Sequence, residues 1–311
     1  MSSIERIAVI GTGAMGSFYA SRLFDMDPDG IALIADGKRY DRLKEKGFFV
    51  NDRHYTVLVM RPDEHAPPSD LVMVAVKHHH LPRAIHDIRN RVGEKTILMS
   101  VMNGIDSEEQ LGAAYGRAKV LHAVAVGIDA VRTDNRLTYT TQGTLFFGEA
   151  SNAVVSQRVQ DVQSLFDRAG ITYETPVDMI RVLWWKFMIN VGMNQASAVL
   201  RAPYGMFQTS QEAQDLMESA MMEVMAIAKK AKVDLSEKDI EAWYQVLNGL
   251  SPHGKTSMLQ DVEAGRKTEV EMLAGKVMEL GRRYDVLTPV NERIFRSIKE
   301  IEGQGSPMDP P

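Results

Sequence analysis

The chain has 311 residues, enough for about two domains. Hydrophobic residues make up 44% and charged residues 25%, a globular composition, and the net charge of −5 argues against a broad basic face for nucleic acid. Cysteine is absent, which excludes disulfides, thiolate metal sites and a cysteine nucleophile, and fits a reducing compartment.

In chain order, Ile7–Ile10 reads as a buried strand and residues 14–24 as the helix that follows it. This first apolar run is four residues long, follows Glu5 and Arg6, and enters a glycine turn rather than a cleavage site. No stretch approaches the roughly 18 apolar residues of a membrane span. A soluble, cytoplasmic protein is therefore expected. Residues 31–35 are the next strand and 38–46 the next helix. Residues 71–76 are continuously apolar, as a parallel central strand buried on both faces should be. Strands at 96–101 and 120–126 continue the series, and the alternation of strand and helix predicts a doubly wound parallel sheet. Residues 137–148 read as a strand pair around Gln142-Gly143. A helix at 156–169 and a strand at 172–174 close the first domain.

Pro176 marks the predicted boundary between an α/β domain, 1–176, and an all-helical one, 177–311. Helical periodicity runs through 177–200, 211–232, 237–247 and 268–284, and the Gly/Pro-rich tail 303–311 is expected to fray. Met217, Met221, Met222 and Met225 share one helix and fill either its core or a subunit contact. A homodimer is expected on that ground.

Gly11-Thr12-Gly13-Ala14-Met15-Gly16 follows a strand and opens a helix, the context a dinucleotide-binding turn requires. The first glycine permits the tight turn, the second lets backbone approach a pyrophosphate, and the third lets helix and strand pack closely. The pyrophosphate would lie at the helix N-terminus, where free N–H groups and the dipole favour an anion. Asp36 ends the second strand, 20 residues past Gly16, where a carboxylate can accept hydrogen bonds from ribose hydroxyls and repel a 2′-phosphate. Lys38 and Arg39 follow at once and could neutralise that phosphate. NAD and NADP both remain open from these residues.

Lys186, Asn190 and Asn194 are spaced i, i+4, i+8 in an otherwise apolar segment. On a regular helix they drift about 80° in total and share one stripe. Buried polar groups of this kind need partners, supplied either by a small polar substrate or by a helix–helix polar network. Thr268 with Glu271 reads as a capping box, which by itself makes Glu269 a first-turn acid, and Ser257 reads as a helix cap. Lys77 and Asn103-Gly104 follow strands at their carboxyl ends, where ligands bind in such sheets. The adjacent His78-His79-His80 cannot all face one metal, so no metal site is expected.

Val74-Ala75-Val76-Lys77, Asn103-Gly104-Ile105, the Lys186/Asn190/Asn194 stripe, Ser257-Met258-Leu259-Gln260-Asp261 and Thr268-Glu269 appear in the order of the ketopantoate reductase family, which the chain resembles over residues 7–299. The resemblance implies reduction of the 2-keto group of ketopantoate to pantoate by NADPH. It implies Lys186 as general acid, Glu269 holding that lysine or a substrate hydroxyl, and Asn190, Asn194 and Ser257 binding substrate. Asn103 and Lys77 would line the nicotinamide side. Members that prefer NADP typically carry a basic residue where Asp36 stands, which makes NAD(H) the alternative; NADP(H) remains the expected cofactor because the Lys186/Asn190/Asn194/Ser257/Glu269 set of the family is intact. The family also contains NAD-dependent D-2-hydroxyacid dehydrogenases. β-Hydroxyacid dehydrogenases differ in placing two adjacent asparagines after the lysine, and a non-catalytic redox sensor would have no need of the stripe.

Overall fold

The computed structural model describes residues 4–305, which form two compact units dividing between Val182 and Leu183. The first unit runs β1 (Ile7–Ile10), α1 (Ala14–Met26), β2 (Ile31–Ile34), α2 (Gly37–Lys46), β3 (Phe48–Val50), β4 (Arg53–Tyr55), β5 (Leu58–Met60), β6 (Ser69–Val74), α3 (Leu81–Asp87), β7 (Val92–Ser100), α4 (Ser107–Tyr115), β8 (Val120–Ile128), β9 (Val131–Thr133), β10 (Arg136–Thr138), β11 (Gln142–Gly148), α5 (Gln157–Ala169) and β12 (Tyr173–Glu174).

Eight strands form one sheet in the order β12-β11-β8-β7-β6-β1-β2-β5, with β11 against β8 its antiparallel pair. Side chains alternate across it. Ile7, Val9, Leu33, Leu71 and Met73 pack with Phe18 and Leu23 of α1 and with Val162 and Leu165 of α5. Ala8, Ile10, Val72, Val74 and Leu98 pack with Leu81 and Ala84 of α3 and Leu111 of α4. Helices on both faces explain why the central strands are apolar throughout. Each large apolar side chain fully buried here contributes about 1.5–3 kcal/mol. The winding direction reverses between β1 and β6, and their carboxyl ends therefore flank the crevice where such sheets bind ligands.

The predicted strand pair at 137–148 is not what forms. β10 joins β3 and β9 in a separate four-stranded sheet, β4-β3-β10-β9, whereas β11 pairs with β8 and β12. The Asp129 carboxylate accepts from the Thr140 and Thr141 N–H groups at 2.9 and 2.7 Å and bends the chain between β10 and β11. Gly143, read as a turn residue, takes its positive φ of 63° inside β11, where a Cβ would meet the Val126 carbonyl.

The second unit holds the end of α6 (Met179–Ile189), a π turn (Asn190–Asn194), α7 (Gln195–Leu200), α8 (Tyr204–Thr209), α9 (Gln211–Lys230), α10 (Glu237–Gly249), α11 (Ser257–Glu263), α12 (Ala274–Tyr284) and α13 (Pro289–Gly305). Met217, Ala220, Met221, Val224, Ile227 and Ala228 make the buried stripe of α9, while Met225 is half-buried and Met222 exposed. Four local expectations are corrected. The helix expected over 177–200 is interrupted by the π turn. The helix expected from Thr268 begins at Ala274, because the Thr268 N–H and hydroxyl both donate to Glu302 while Glu271 pairs with Lys299, leaving no capping box. Thr256, not Ser257, caps α11, accepting from the Leu259 N–H. The predicted tail begins too early, since α13 continues to Gly305, and residues 306–311 lie outside the described residues. Among the described residues no helix is long and apolar enough to cross a membrane.

Candidate functional site

In the first unit the glycine turn joins β1 to α1. Gly11 has φ +96°, and a Cβ on it would stand 2.4 Å from the Ala75 carbonyl oxygen, just past the end of β6. A Cβ on Gly16 would stand 1.7 Å from the Gly11 oxygen, so α1 packs on the turn with no room for a methyl. Gly13 differs: a Cβ there would meet only the Ala75 oxygen, at 3.8 Å. Gly13 is the N-cap of α1 and offers no side-chain cap to the helix, whose first amides are left for an incoming acceptor. Thr12 is buried, and its carbonyl accepts from the Ser17 hydroxyl. Ala14 and Met15 are half-buried. These residues fit a dinucleotide: a bare backbone approach, free amides and the positive end of a helix converge on one spot.

Asp36 follows β2 and caps α2, its Oδ1 accepting from the Gly37 N–H at 2.8 Å. Its Oδ2 pairs with the Arg83 guanidinium at 3.2 Å, and Arg83 in turn holds Asp87 through Nε at 2.8 Å. Asp36, Lys38, Arg39, His80 and Arg83 line one cavity of about 350 Å³ together with Ile10 and Ile34. Burial and the neighbouring Arg39 charge hold His80 below its usual range, so the ring is a neutral wall. The cavity therefore presents the Asp36 carboxylate for a ribose diol and three cations, Lys38, Arg39 and Arg83, for a phosphate, while the second carboxylate of its lining, Asp87, is held by Arg83. Both Asp36 and Arg83 are more than half exposed, and such a pair is readily exchanged for a ligand group.

Lys77 stands in extended conformation immediately before the short 3₁₀ turn His78–His80 after β6, and among the described residues no group of His, Asp or Glu side chains is arranged to hold a metal. Asn103 lies in the loop between β7 and α4, beside Gly104, whose φ is +100°. Glu108, in the first turn of α4, accepts from the Ser107 hydroxyl, and burial pushes its carboxyl up to about 7.

In the second unit Lys186 is half-buried on α6, and desolvation pulls its ammonium down to about 8. Asn190 opens the π turn and is buried, while Asn194 closes it and is half-buried. The Thr256 hydroxyl donates to the Ser197 hydroxyl at 3.2 Å, fixing the start of α11, and with it Ser257, against α7. Glu269 is half-buried in the turn before α12, where its carbonyl accepts from the Met272 and Leu273 N–H groups. The Gln195 side chain accepts from the Ala274 N–H at 2.9 Å and ties that turn to the helix of Lys186. Two residues of these surroundings escape sequence reasoning. Arg83 lies 47 positions from Asp36, and no spacing rule connects them. Gln195 is legible only as a glutamine in an apolar helix, and its side-chain partners beyond that helix, Ala274 and Asn291, come from two distant segments.

Residues 7–152 match the family described as ketopantoate reductase PanE/ApbA, and residues 178–302 match that family's C-terminal region. The chain is similar to the 2-dehydropantoate 2-reductase of Aquifex aeolicus (strain VF5), at 26% identity over 96% of this chain and 97% of the relative. It is also similar to an uncharacterized oxidoreductase, YkpB, of Bacillus subtilis (strain 168), at 22% identity over 96% and 99%. Among solved structures, 2-dehydropantoate 2-reductase from Methylococcus capsulatus superposes with a TM-score of 0.82 at 26% identity, covering 97% of this chain and 98% of that one. A ternary structure of D-mandelate dehydrogenase with NADH and anilino(oxo)acetate shares the fold, with a TM-score of 0.87 at 18% identity over 96% and 99%. With its sheet half and its helical half both matched, the chain belongs to the ketopantoate reductase family and is an oxidoreductase acting on a CH–OH group.

Proposed function

We propose that this chain is a 2-dehydropantoate 2-reductase that uses NADPH to reduce the 2-keto group of ketopantoate to pantoate, as a step of pantothenate synthesis in the cytoplasm. The observation that carries the reading is Lys186, a desolvated ammonium near the end of α6, followed by Asn190 and Asn194 at the two ends of the π turn. Residues 1–176 would bind the dinucleotide through Gly11, Thr12, Gly13, Ala14, Met15 and Gly16, with Asp36 and Lys38 at the adenosine ribose. Residues 177–311 would bind substrate and pair two copies as a homodimer, which sizing at twice the chain mass would support.

The reduced nicotinamide, when bound, supplies hydride to the 2-keto carbon. Lys186 gives a proton from Nζ to the ketone oxygen, and its ammonium stabilises the negative charge that develops there. Asn190, Asn194 and Ser257 hold the hydroxyl and carboxylate of the substrate, and Glu269 holds the lysine or a substrate hydroxyl. Asn103 and Lys77 line the nicotinamide side. A lysine at about 8 is still protonated at neutral pH and surrenders its proton more readily than a solvated one. Reductive turnover should therefore be flat below pH 7 and fall about tenfold per unit well above 8. A profile that rises through this range would remove Lys186 as the acid.

Asp36 supports a second reading, an NAD-dependent D-2-hydroxyacid dehydrogenase of the same family, because its carboxylate repels a 2′-phosphate. The two are separated by following loss of NADPH and of NADH absorbance in parallel, with ketopantoate and with 2-ketoisocaproate. Fast reduction of ketopantoate by NADPH sustains the first reading, and a preference for NADH with the aliphatic keto acid replaces it by the second. Asp36→Ala should raise the NADPH-to-NADH ratio of kcat/KM by about tenfold or more, since it removes the repelling charge and releases Arg83. An unchanged ratio would mean that the adenosine ribose does not reach Asp36.

A further inference from the structure

The π turn Asn190–Asn194 directly follows α6, the helix that carries Lys186. Such turns give up regular i→i−4 bonding, and something must compensate the groups they release. In an uninterrupted helix the Val191 carbonyl would accept from the Gln195 backbone N–H. Here that N–H bonds to the Gly192 carbonyl, and the Val191 carbonyl accepts from the Gln195 side-chain Nε2 at 2.8 Å. The side-chain amide of Gln195 thus reaches the carbonyl that its own backbone N–H does not.

The same Nε2 donates to Asn291 Oδ1 at 3.2 Å, and Gln195 Oε1 accepts from the Ala274 N–H at 2.9 Å. Gln195 and Asn291 are both fully buried. Asn291 is itself clamped, its Nδ2 donating to Glu223 Oε2 at 2.7 Å and to the Ala220 carbonyl at 3.3 Å. Glu223, on α9, also accepts from the N–H groups of Val290 and Asn291 and so caps the first turn of α13. On its other side the π turn presses on α9, because a Cβ on Gly192 would stand 2.5 Å from Met221 Cγ and 2.8 Å from the Met217 carbonyl.

We propose that Gln195, held by Asn291 and Glu223, is the positioning residue that sets the π turn and thereby aims Asn190 and Asn194 alongside Lys186. The inference rests on the substrate-binding reading given above for that stripe. On a regular helix each four-residue step rotates a side chain onward by about 40°. The wider π turn rotates less per residue, and it draws Asn194 back toward the line of Lys186 and Asn190. Through Ala274, five positions past Glu269, the same glutamine fixes the turn that carries the acid. One buried amide thus sets the spacing between two parts of the site without itself meeting substrate.

Gln195→Met keeps the side-chain length and removes every polar contact. Its crystal structure should show a continuous α-helix through 186–200, and kcat on the 2-keto acid should fall about tenfold or more with dinucleotide Kd within about twofold. In an Asn194→Ala background the same change should cost less than about threefold, because what the glutamine positions is already gone, whereas a general loss of stability would multiply through both backgrounds. Should Gln195→Met fail to fold, Glu223→Gln preserves volume and sets a donor against either the Val290 N–H or Asn291, loosening the clamp in both orientations. It should lower kcat by about three- to tenfold and be equally non-additive with Asn194→Ala. A π turn intact in Gln195→Met, or equal losses in both backgrounds, would overturn the proposal. A wild-type protein that reduces no 2-keto acid would instead defeat the functional reading, and the helix geometry of Gln195→Met would then decide alone whether Gln195 sets the turn.

Discussion

Lys186→Ala is expected to lower turnover of a 2-keto acid by about a hundredfold or more, within the ~10²–10⁴ that a positioned general acid contributes. Two losses combine in that figure. The proton donor disappears, and so does the cation that stabilises the developing oxyanion in a desolvated setting. Dinucleotide affinity should stay within about twofold, because the glycine turn and the cavity of Asp36 are built from other elements. Lys186→Arg separates the two contributions. It keeps the charge but holds its proton too tightly to give it up at neutral pH, so turnover should remain low while substrate KM recovers. Steady-state kinetics on both variants with a fluorescence titration of the cofactor make the measurement. Near-normal turnover in Lys186→Ala would take the lysine out of the chemistry.

The second large effect distinguishes two glycines three residues apart. Gly13 has φ −70° and space for a methyl, so Gly13→Ala should leave stability within about 1 kcal/mol of wild type. That methyl nevertheless stands where a pyrophosphate would approach the α1 amides, and dinucleotide Kd should rise about tenfold or more. Gly16→Ala must instead displace the Gly11 backbone, 1.7 Å away, and should cost about 1–3 kcal/mol of stability together with cofactor binding. Thermal melts paired with cofactor titrations separate the cases. Equal affinity for Gly13→Ala and wild type would mean that the ligand does not pass over residue 13.

The parts of the fold legible in the sequence are those whose environment is simple. β1 and the end of β6 are buried on both faces and stand out as unbroken apolar runs, β7 and β8 carry apolar stretches broken by few polar residues, and α5 and α9 show the expected 3.6-residue stripe. β3, β4 and β5 are three residues each, too short to carry a period. Residues 137–148 misled because a glycine between two apolar runs signals a turn, whereas Gly143 takes positive φ within a strand. Thr268 and Glu271 have the spacing of a capping box, but Glu302 and Lys299 on α13 outcompete it from far along the chain. The candidate site follows the same division. Its residue types and order can be read from the chain, since glycine turns and a lysine–asparagine stripe are local patterns. The Asp36–Arg83 pair and the Gln195–Asn291–Glu223 network join distant segments, and no local pattern announces them.

Hydride transfer to a 2-keto acid is the central step, and deuterium follows that transfer directly. Wild-type protein would be incubated with ketopantoate and NADPH carrying two deuterons at C4 of the nicotinamide, and the product analysed by mass spectrometry and NMR. Pantoate bearing one deuteron at C2, with the hydroxyl proton drawn from solvent, is the expected product. Cofactor that binds and is never consumed, or product without deuterium at C2, would contradict that transfer.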